Sequence, residues 1–243
     1  MTQLRTWLGV TAAILIAATP AMAGDIAALQ SIGFSDDGSV YAFEEYGVQD
    51  GSGFPYSNIY VIDTVKDAYL PGTPIKVRID DESVGLSKAR ADALQKAAPL
   101  LSTHELADHP GQLVAFNPVS ELGADADTLR YLAYPADPAF GGAYALRLER
   151  FSTPPTDTCA GVIDDLKAFR LTLTQKDGTA VDELVHEDIK VPASRGCAVD
   201  YRLGAAVTYA PINAAAIHMV LVQVLSFGFE GHDGRWIAIP VRP

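Results

Sequence analysis

Short runs of alternating apolar and polar residues recur along most of the chain, which is the pattern of half-buried β-strands. Residues 75–79 (IKVRI) show it most clearly. Turn residues such as Lys176-Asp177-Gly178 separate neighbouring runs and favour antiparallel hairpins. Pro240 predicts that the last strand is an edge strand, because proline cannot donate to a β-ladder. Strands are predicted over residues 26–34, 40–45, 56–63, 73–79, 113–116, 129–134, 144–148, 169–173, 181–186, 201–209, 218–227 and 236–241.

One segment has helical periodicity instead, from Ser87 to Leu101 (SKARADALQKAAPLL). Its Ala- and Leu-rich composition favours a helix, and Ser87 can cap the N-terminus. Pro99 is expected to end or kink it. The predicted apolar face consists of Leu86, Ala89/Arg90, Ala93/Leu94, Ala97 and Leu101, at spacings of three and four residues.

These elements predict a mainly β (α+β) fold of antiparallel sheets with one prominent helix near 87–101. An alternative is an incomplete or degenerate β-propeller. Residues 34–43 (FSDDGSVYAF) and 229–239 (FEGHDGRWIAI) both run through an Asp-Gly turn into an aromatic strand. This local pattern is similar to the blade motif of TolB-type propellers, although a propeller repeats its motif every 40–50 residues or so.

The first 23 residues have the features of a secretory signal peptide. Arg5 precedes a short apolar run, residues 7–19, and Ala21-Met22-Ala23 predicts cleavage after Ala23. The run is too short for a membrane-spanning helix, and no later stretch approaches the roughly 18 apolar residues that such a helix needs. We therefore expect a soluble periplasmic or secreted protein with no membrane span.

Charge and cysteine content narrow the expected chemistry further. The formal net charge is −12, and it becomes −13 once Arg5 is removed, which argues against nucleic acid as a partner. The two cysteines, Cys159 and Cys197, both lie in the exported part. An oxidising compartment predicts a disulfide between them. The alternative, a nucleophilic cysteine with a histidine partner, is disfavoured because an even pairing leaves no spare thiol.

Residues 24–243 are predicted to form a single β-rich domain. The segment 137–142 (DPAFGG) is the best candidate for an internal boundary, and it leaves two subdomains, 24–136 and 143–243, as the alternative.

Four blocks of the chain resemble DUF2259, a bacterial family of predicted secreted proteins. They are FEEYGVQDGSGFPYSNIYVID (43–63), PGTPIKVRIDDE (71–82), PASRGCAVDYRL (192–203) and FGFEGHDGRWIAIP (227–240). The resemblance implies export, and it brings no established activity and no catalytic residues.

The segment between the second and third strands is the first candidate for a ligand-binding site. We expect about ten residues, Tyr46 to Ser57, to join two strands that two to five could connect. Its candidate ligand-binding residues are Tyr46, Asp50, Ser52, Phe54 and Tyr56. The alternative is a loop packed only on its own side chains. An EF-hand starting at Asp50 is excluded, because Phe54, Pro55 and Val61 occupy positions that require oxygen ligands or glycine.

A second candidate is His186 with Asp188, which share one face of a strand and could hold a metal or form a base and its orienting carboxylate. His218 and His232 are conceivable third ligands. Ser194 and Arg195 are expected in the turn leading to Cys197, with Arg195 pairing an acidic neighbour. The chain has no G-x-S-x-G, S-x-x-K, H-E-x-x-H, P-loop or Rossmann pattern, and we predict no cofactor.

The sequence therefore favours a non-catalytic binding or interaction module of the cell envelope. Its expected partner is an envelope protein or a small ligand, and its oligomeric state is left open. The alternative is a periplasmic metal-dependent or hydrolytic enzyme that uses His186 and Asp188.

Overall fold

The computed structural model describes residues 24–228 and 230–243. The predicted signal peptide (1–23) and Phe229 of the repeated turn motif lie outside the described residues. The strands are β1 (Ala28–Phe34), β2 (Val40–Val48), β3 (Pro55–Asp63), β4 (Ala68–Tyr69), β5 (Ile75–Arg78), β6 (Gln112–Phe116), β7 (Thr128–Leu132), β8 (Ala143–Thr153), β9 (Leu166–Lys176), β10 (Thr179–Glu187), β11 (Ala198–Tyr209), β12 (Ile217–Phe227) and β13 (His232–Val241). The helix α1 spans Leu86–Thr103, and short 3-10 helices span Leu106–Asp108 and Ala193–Arg195.

The strands form three antiparallel sheets, and none of them closes into a barrel. Sheet I contains β1-β2-β3-β4, with β5 also paired to β3. Sheet II has the order β13-β12-β11-β6, and sheet III the order β10-β9-β8-β7. The prediction of a mainly β fold with antiparallel sheets is confirmed. All twelve predicted strands are present, most of them longer than expected, and the two-residue β4 was missed.

Sheet II is the central layer, because both of its faces are covered. Val220, Val222 and Val224 of β12 pack in one cluster with sheet III. Met219 and Leu221 face the other way and pack in a second cluster with sheet I. Burial on both faces explains why β12 is a nearly continuous apolar run rather than an alternating one. The three sheets are thus stacked face to face, with sheet II between sheets I and III.

Helix α1 forms a fourth layer on the outer face of sheet I. Ala89, Ala93 and Ala97 are fully buried there, so small side chains let the helix approach the sheet closely. Leu94, placed on the buried face by the sequence, is 40% exposed. One further expectation is wrong, since the N-cap is Gly85 and has no side-chain cap. Pro99 does not end the helix, which continues to Thr103. A proline this close to the C-terminus removes only one hydrogen bond of the last turn.

Both halves of the sequence contribute to the central sheet, since β6 pairs with β11. The segment 137–142, expected as a boundary, connects β7 to β8 within sheet III. We infer a single domain from this sharing of layers. Within residues 24–228 and 230–243, no helix combines the length and apolar character needed to cross a membrane.

The predicted disulfide between Cys159 and Cys197 is present, with the two Cα atoms 5.6 Å apart. It joins the loop between β8 and β9 to the start of β11, and so fastens sheet III to sheet II. Cys197 directly follows the 3-10 helix Ala193–Arg195 and Gly196. The disulfide therefore also holds that short helix against the rest of the protein.

Candidate functional site

A groove runs along β13, where the edge of sheet II lies between sheets I and III. It consists of two adjoining cavities of about 270 and 710 Å³. Tyr69, Ser194, Arg195 and Ile237 line both cavities, which makes them one continuous depression. We call it the β13 groove; its remaining lining residues are Glu45, Asn58, Tyr60, Ile62, Asp67, Ala68, Pro74, Lys76, His186, Pro192, Gly196, Val224, Ser226, Arg235, Trp236, Ala238 and Ile239.

The groove exposes part of the backbone edge of β13, which confirms the edge position predicted from Pro240. The Gly234 N–H donates to the Asp25 carbonyl at 2.9 Å, and the Trp236 N–H donates to Glu45 Oε2 at 2.8 Å. Even-numbered residues therefore turn their backbone groups away from β12, because this ladder has no register shift. Ala238 is the next residue in that alternation, and β13 pairs with no strand besides β12 in the described chain.

Trp236 forms part of the groove floor and is held in place by its neighbours. Its indole Nε1 donates to the Ala27 carbonyl at 2.8 Å, and its ring lies directly against Gly204 of β11. A Cβ at position 204 would lie 2.2 Å from the ring, so only glycine leaves room for it. Trp236 is consequently buried and held in one orientation.

Arg195 is a more deeply buried cation of the groove wall than Arg235. Its Nη1 donates to Asp188 Oδ2 at 2.6 Å, and the guanidinium lies over the rings of Phe169 and Tyr201, 5.0 and 5.6 Å from their centroids. Burial opposes the charge, but the hydrogen bond to Asp188 and the contacts with Tyr201 outweigh it and raise the pKa of Arg195. Within the described part of the chain, its Nε and Nη2 have no hydrogen-bond acceptor.

His186 and Asp188 come together as the sequence suggested, with His186 Nε2 3.0 Å from Asp188 Oδ1. The other carboxylate oxygen accepts from both Arg195 and the Phe169 N–H, so both oxygens are in use. Burial would raise the pKa of Asp188, but the hydrogen bonds from His186 and Arg195 lower it. The expected pairing of Arg195 with an acidic neighbour is thus present. Among the described residues, no group of three or more His, Cys, Asp or Glu side chains is placed to hold a metal ion.

The candidate loop is shorter than the sequence suggested. β2 continues to Val48 and pairs there with Pro55, so only residues 49–54 connect the strands. The Gln49 N–H donates to the Phe54 carbonyl at 2.9 Å, and the Gly53 N–H donates to the Gln49 carbonyl at 3.0 Å. The expectation of about ten connecting residues is wrong, because the β2–β3 ladder includes three residues at each end of the predicted loop, 46–48 and 55–57.

The five candidate residues of this loop do not converge. Tyr46 lies on the outer face of sheet I, where the guanidinium carbon of Arg90 in α1 is 3.8 Å from the centroid of the Tyr46 ring. Tyr56 is buried on the opposite face, with its hydroxyl donating to Asp25 Oδ1 at 2.8 Å. Asp50 is exposed at the tip, and the Ser52 hydroxyl accepts the Phe54 N–H at 3.3 Å. None of the five lines the β13 groove, and ligand binding by this loop stays a prediction.

The family model that describes DUF2259, a predicted secreted protein, matches residues 42–242. The chain belongs to this family. No curated protein and no solved structure matches the chain significantly. Membership agrees with the predicted export, whereas cleavage after Ala23 stays a prediction because the match begins beyond it.

Two further carboxylates shape the electrostatics of the groove in this DUF2259 protein. Glu45 is buried, and its Oε1 accepts from Asn58 Nδ2 at 2.9 Å and from the Tyr60 hydroxyl at 2.7 Å. Asp67, at the turn before β4, forms no ion pair with any described residue. The surrounding groove walls raise the pKa of Asp67 by desolvation, while His186 and Arg195 act in the opposite direction.

The sequence missed most of the groove. Tyr69, Arg195 and Ala238 are far apart along the chain and meet only when the three sheets stack. Three signals were visible beforehand: the proline of an edge strand, the His186–Asp188 pair, and Ser194 and Arg195 before Cys197.

Proposed function

We propose that this DUF2259 protein is an exported, non-catalytic binding module of the cell envelope that acts through the β13 groove. The observation that carries the proposal is Arg195, which is held by Asp188 and has two donors, Nε and Nη2, that no described residue uses. It lies in a groove whose two cavities of about 270 and 710 Å³ add up to about 980 Å³. That size suits a small ligand or a short segment of an envelope protein.

The groove has the composition of a binding site. Apolar side chains such as Ile62, Ile237 and Tyr69 supply contact area, and a few fixed polar groups supply orientation. Asp188 and Tyr201 hold the Arg195 side chain, which is only 8% exposed, so binding would cost little further side-chain entropy.

Substitution of Ser194 tests the proposal, because Ser194 is exposed and lines both cavities. Ser194→Tyr would fill the groove, whereas Ala193→Tyr adds the same ring at the exposed neighbouring position, which lines neither cavity. Thermal unfolding is followed with succinate, benzoate and a pool of short synthetic peptides as probes. A probe at 100 times its Kd should stabilise the protein by about 2.7 kcal/mol.

We expect at least one probe to raise the Tm of the unsubstituted protein and of Ala193→Tyr but not of Ser194→Tyr. The proposal is wrong if no probe raises the Tm, or if Ser194→Tyr responds as strongly as Ala193→Tyr.

The loop at residues 49–54 is a second proposed contact, motivated by its glycines and by Phe54. Replacing these six residues with Asn-Gly would close β2 and β3 through a two-residue hairpin turn. If the function of the protein in the envelope depends on the loop, this variant should fold normally but lack that function. Unchanged function would show that the loop is not a contact site.

The alternative function, a hydrolase, is favoured by one observation. His186 is hydrogen bonded to Asp188 and lines the same cavity as Ser194, so the three residue types of a catalytic triad are neighbours. Against it, no hydrogen bond joins Ser194 to His186, and the Asp188 carboxylate is already bound to Arg195. Covalent labelling by a fluorophosphonate that disappears in Ser194→Ala would support the hydrolase. An absence of labelling would favour the non-catalytic binding function.

A further inference from the structure

The open backbone edge of β13 indicates which class of ligand the groove binds. An unpaired strand edge presents N–H and C=O groups at the spacing of another extended chain. Pro240 contributes no N–H, and the Trp236 N–H is already bound to Glu45. No described residue accepts the Ala238 N–H, which is therefore the free N–H on this stretch, flanked by outward carbonyls at positions 236, 238 and 240.

The protein already adds a segment to this edge immediately before the groove. Residues Asp25 to Ala27 pair with Gly234 in parallel, through the Asp25 carbonyl and the Ala27 N–H, each at 2.9 Å. Beyond Ala27 the chain leaves β13 to enter sheet I, and the Glu45 carboxylate accepts the next outward N–H, that of Trp236. The groove begins where this internal pairing stops, and an added strand would continue it.

From this arrangement we propose that the β13 groove binds the C-terminal end of an extended peptide, which adds a short strand to β13 and places its terminal carboxylate on Arg195. The inference rests on the proposed function, because it names the class of ligand for the same groove.

The length and charge of the groove both favour a chain end over a strand that runs through. Pairing is interrupted at Trp236 by Glu45 and at Pro240 by the missing N–H, so only a few residues can pair. Arg195 offers two free donors, which suit the two oxygens of one carboxylate. Asp67 lies in the same groove and would repel additional acidic groups, so a peptide with a single carboxylate fits best.

This mode of binding has a physical precedent in strand addition to sheet edges, where backbone hydrogen bonds supply affinity and side-chain pockets supply specificity. In the β13 groove, alternate side chains of the peptide would lie against Ile62 and Tyr69 on one wall and Pro192 on the other. Apolar or β-branched residues at these positions are therefore expected to bind more tightly than charged ones.

The test measures binding of the synthetic peptide acetyl-Thr-Val-Thr-Val, either with its free carboxylate or as the C-terminal amide. The chain contains two tryptophans, Trp7 in the predicted signal peptide and Trp236 in the groove, so fluorescence of the exported form reports on the groove. The free acid should change this fluorescence, and the amide should bind at least about tenfold more weakly, which corresponds to about 1.4 kcal/mol.

Two variants at position 238 test the backbone pairing. Ala238→Pro removes the outward N–H and leaves the ladder with β12 intact, and Ala238→Gly retains the N–H as a matched control. Ala238→Pro should weaken binding about tenfold, and Ala238→Gly by less than about threefold. If Ala238→Pro does not fold, a peptide N-methylated at each valine serves instead and should bind equally weakly.

Equal binding of the acid and the amide, or of Ala238→Pro and Ala238→Gly, would overturn the peptide proposal. So would failure of the peptide to bind at all. If succinate or benzoate then still stabilises the protein in a manner sensitive to Ser194→Tyr, the proposed binding function survives without the peptide. If they also fail, both proposals fall.

Discussion

The buried histidine His218 is expected to make the stability of the protein depend on pH. It is 1% exposed on the face of β12 that packs against sheet III, with Nδ1 3.1 Å from the Tyr131 hydroxyl and its ring edge-on to Tyr144. Burial without a charged partner lowers the pKa of His218 from 6.5 to about 4. The folded protein therefore holds this imidazole neutral at pH values where the unfolded chain protonates it.

The sign of the effect follows from proton linkage. Since the pKa is lower in the folded state, the contribution to stability is complete above pH 6.5 and is lost progressively as the pH falls to about 4. The full difference corresponds to about 3 kcal/mol, of which about 2 kcal/mol is lost between pH 7 and 4.5. Carboxylates begin to titrate at the lower end of this interval, so the effect of His218 is isolated by comparison with a variant that lacks only this imidazole.

Urea unfolding at pH 7 and 4.5, followed by circular dichroism, measures this loss. His218→Gln keeps a polar group for the Tyr131 hydroxyl but cannot titrate, so its free energy of unfolding should fall by about 2 kcal/mol less than that of the unsubstituted protein. His232→Gln removes an exposed histidine and should retain the original pH dependence. Identical pH dependence for His218→Gln and the unsubstituted protein would refute the reasoning.

Three further substitutions test other parts of the structure by the free energy of unfolding. Replacing Cys159 and Cys197 together by Ala should cost about 4 kcal/mol, because the disulfide closes a loop with a sequence separation of 38; a cost near zero would contradict this. Ala93→Leu should destabilise by about 1–3 kcal/mol where α1 packs on sheet I, whereas Ala98→Leu on the exposed side should change little. Asp188→Ala should cost about 3–5 kcal/mol by leaving its buried arginine partner unpaired, and a loss below 1 kcal/mol would show that the pair is not structural.

The strands were predictable because each carries its own local signal. Alternation located β5, and the Asp177-Gly178 turn correctly joined β9 to β10. Two cysteines in an exported chain were enough to predict their pairing. The stacking order was not predictable, because continuous apolar runs such as that of β12 show burial on both faces but not which sheets cover them.

Glycine misled the prediction of the loop. Gly47 was interpreted as a loop residue, yet it pairs with Tyr56 inside the β2–β3 ladder. A Cβ at position 47 would lie 2.8 Å from the Tyr56 hydroxyl, so the glycine makes room for a neighbouring ring rather than for a turn. A single sequence shows that a glycine is present, but it does not show whether the glycine is required for a turn or for the close approach of a neighbouring ring.

The candidate site illustrates the same limit at longer range. His186 and Asp188 were predictable as a pair because they are two residues apart, at the end of β10 and directly after it. Their joint role with Arg195 in the wall of a groove depends on the packing of β13 against two other sheets. No local pattern contains that information.

Hydrogen exchange at the Ala238 amide tests the central claim most directly. Its N–H faces the groove, whereas the neighbouring amides of Ile237 and Ile239 face β12. We predict that the Ala238 amide exchanges faster than both neighbours in the free protein and becomes protected when acetyl-Thr-Val-Thr-Val is added. A slowly exchanging Ala238 amide in the free protein, or one whose exchange the peptide leaves unchanged, would contradict the account.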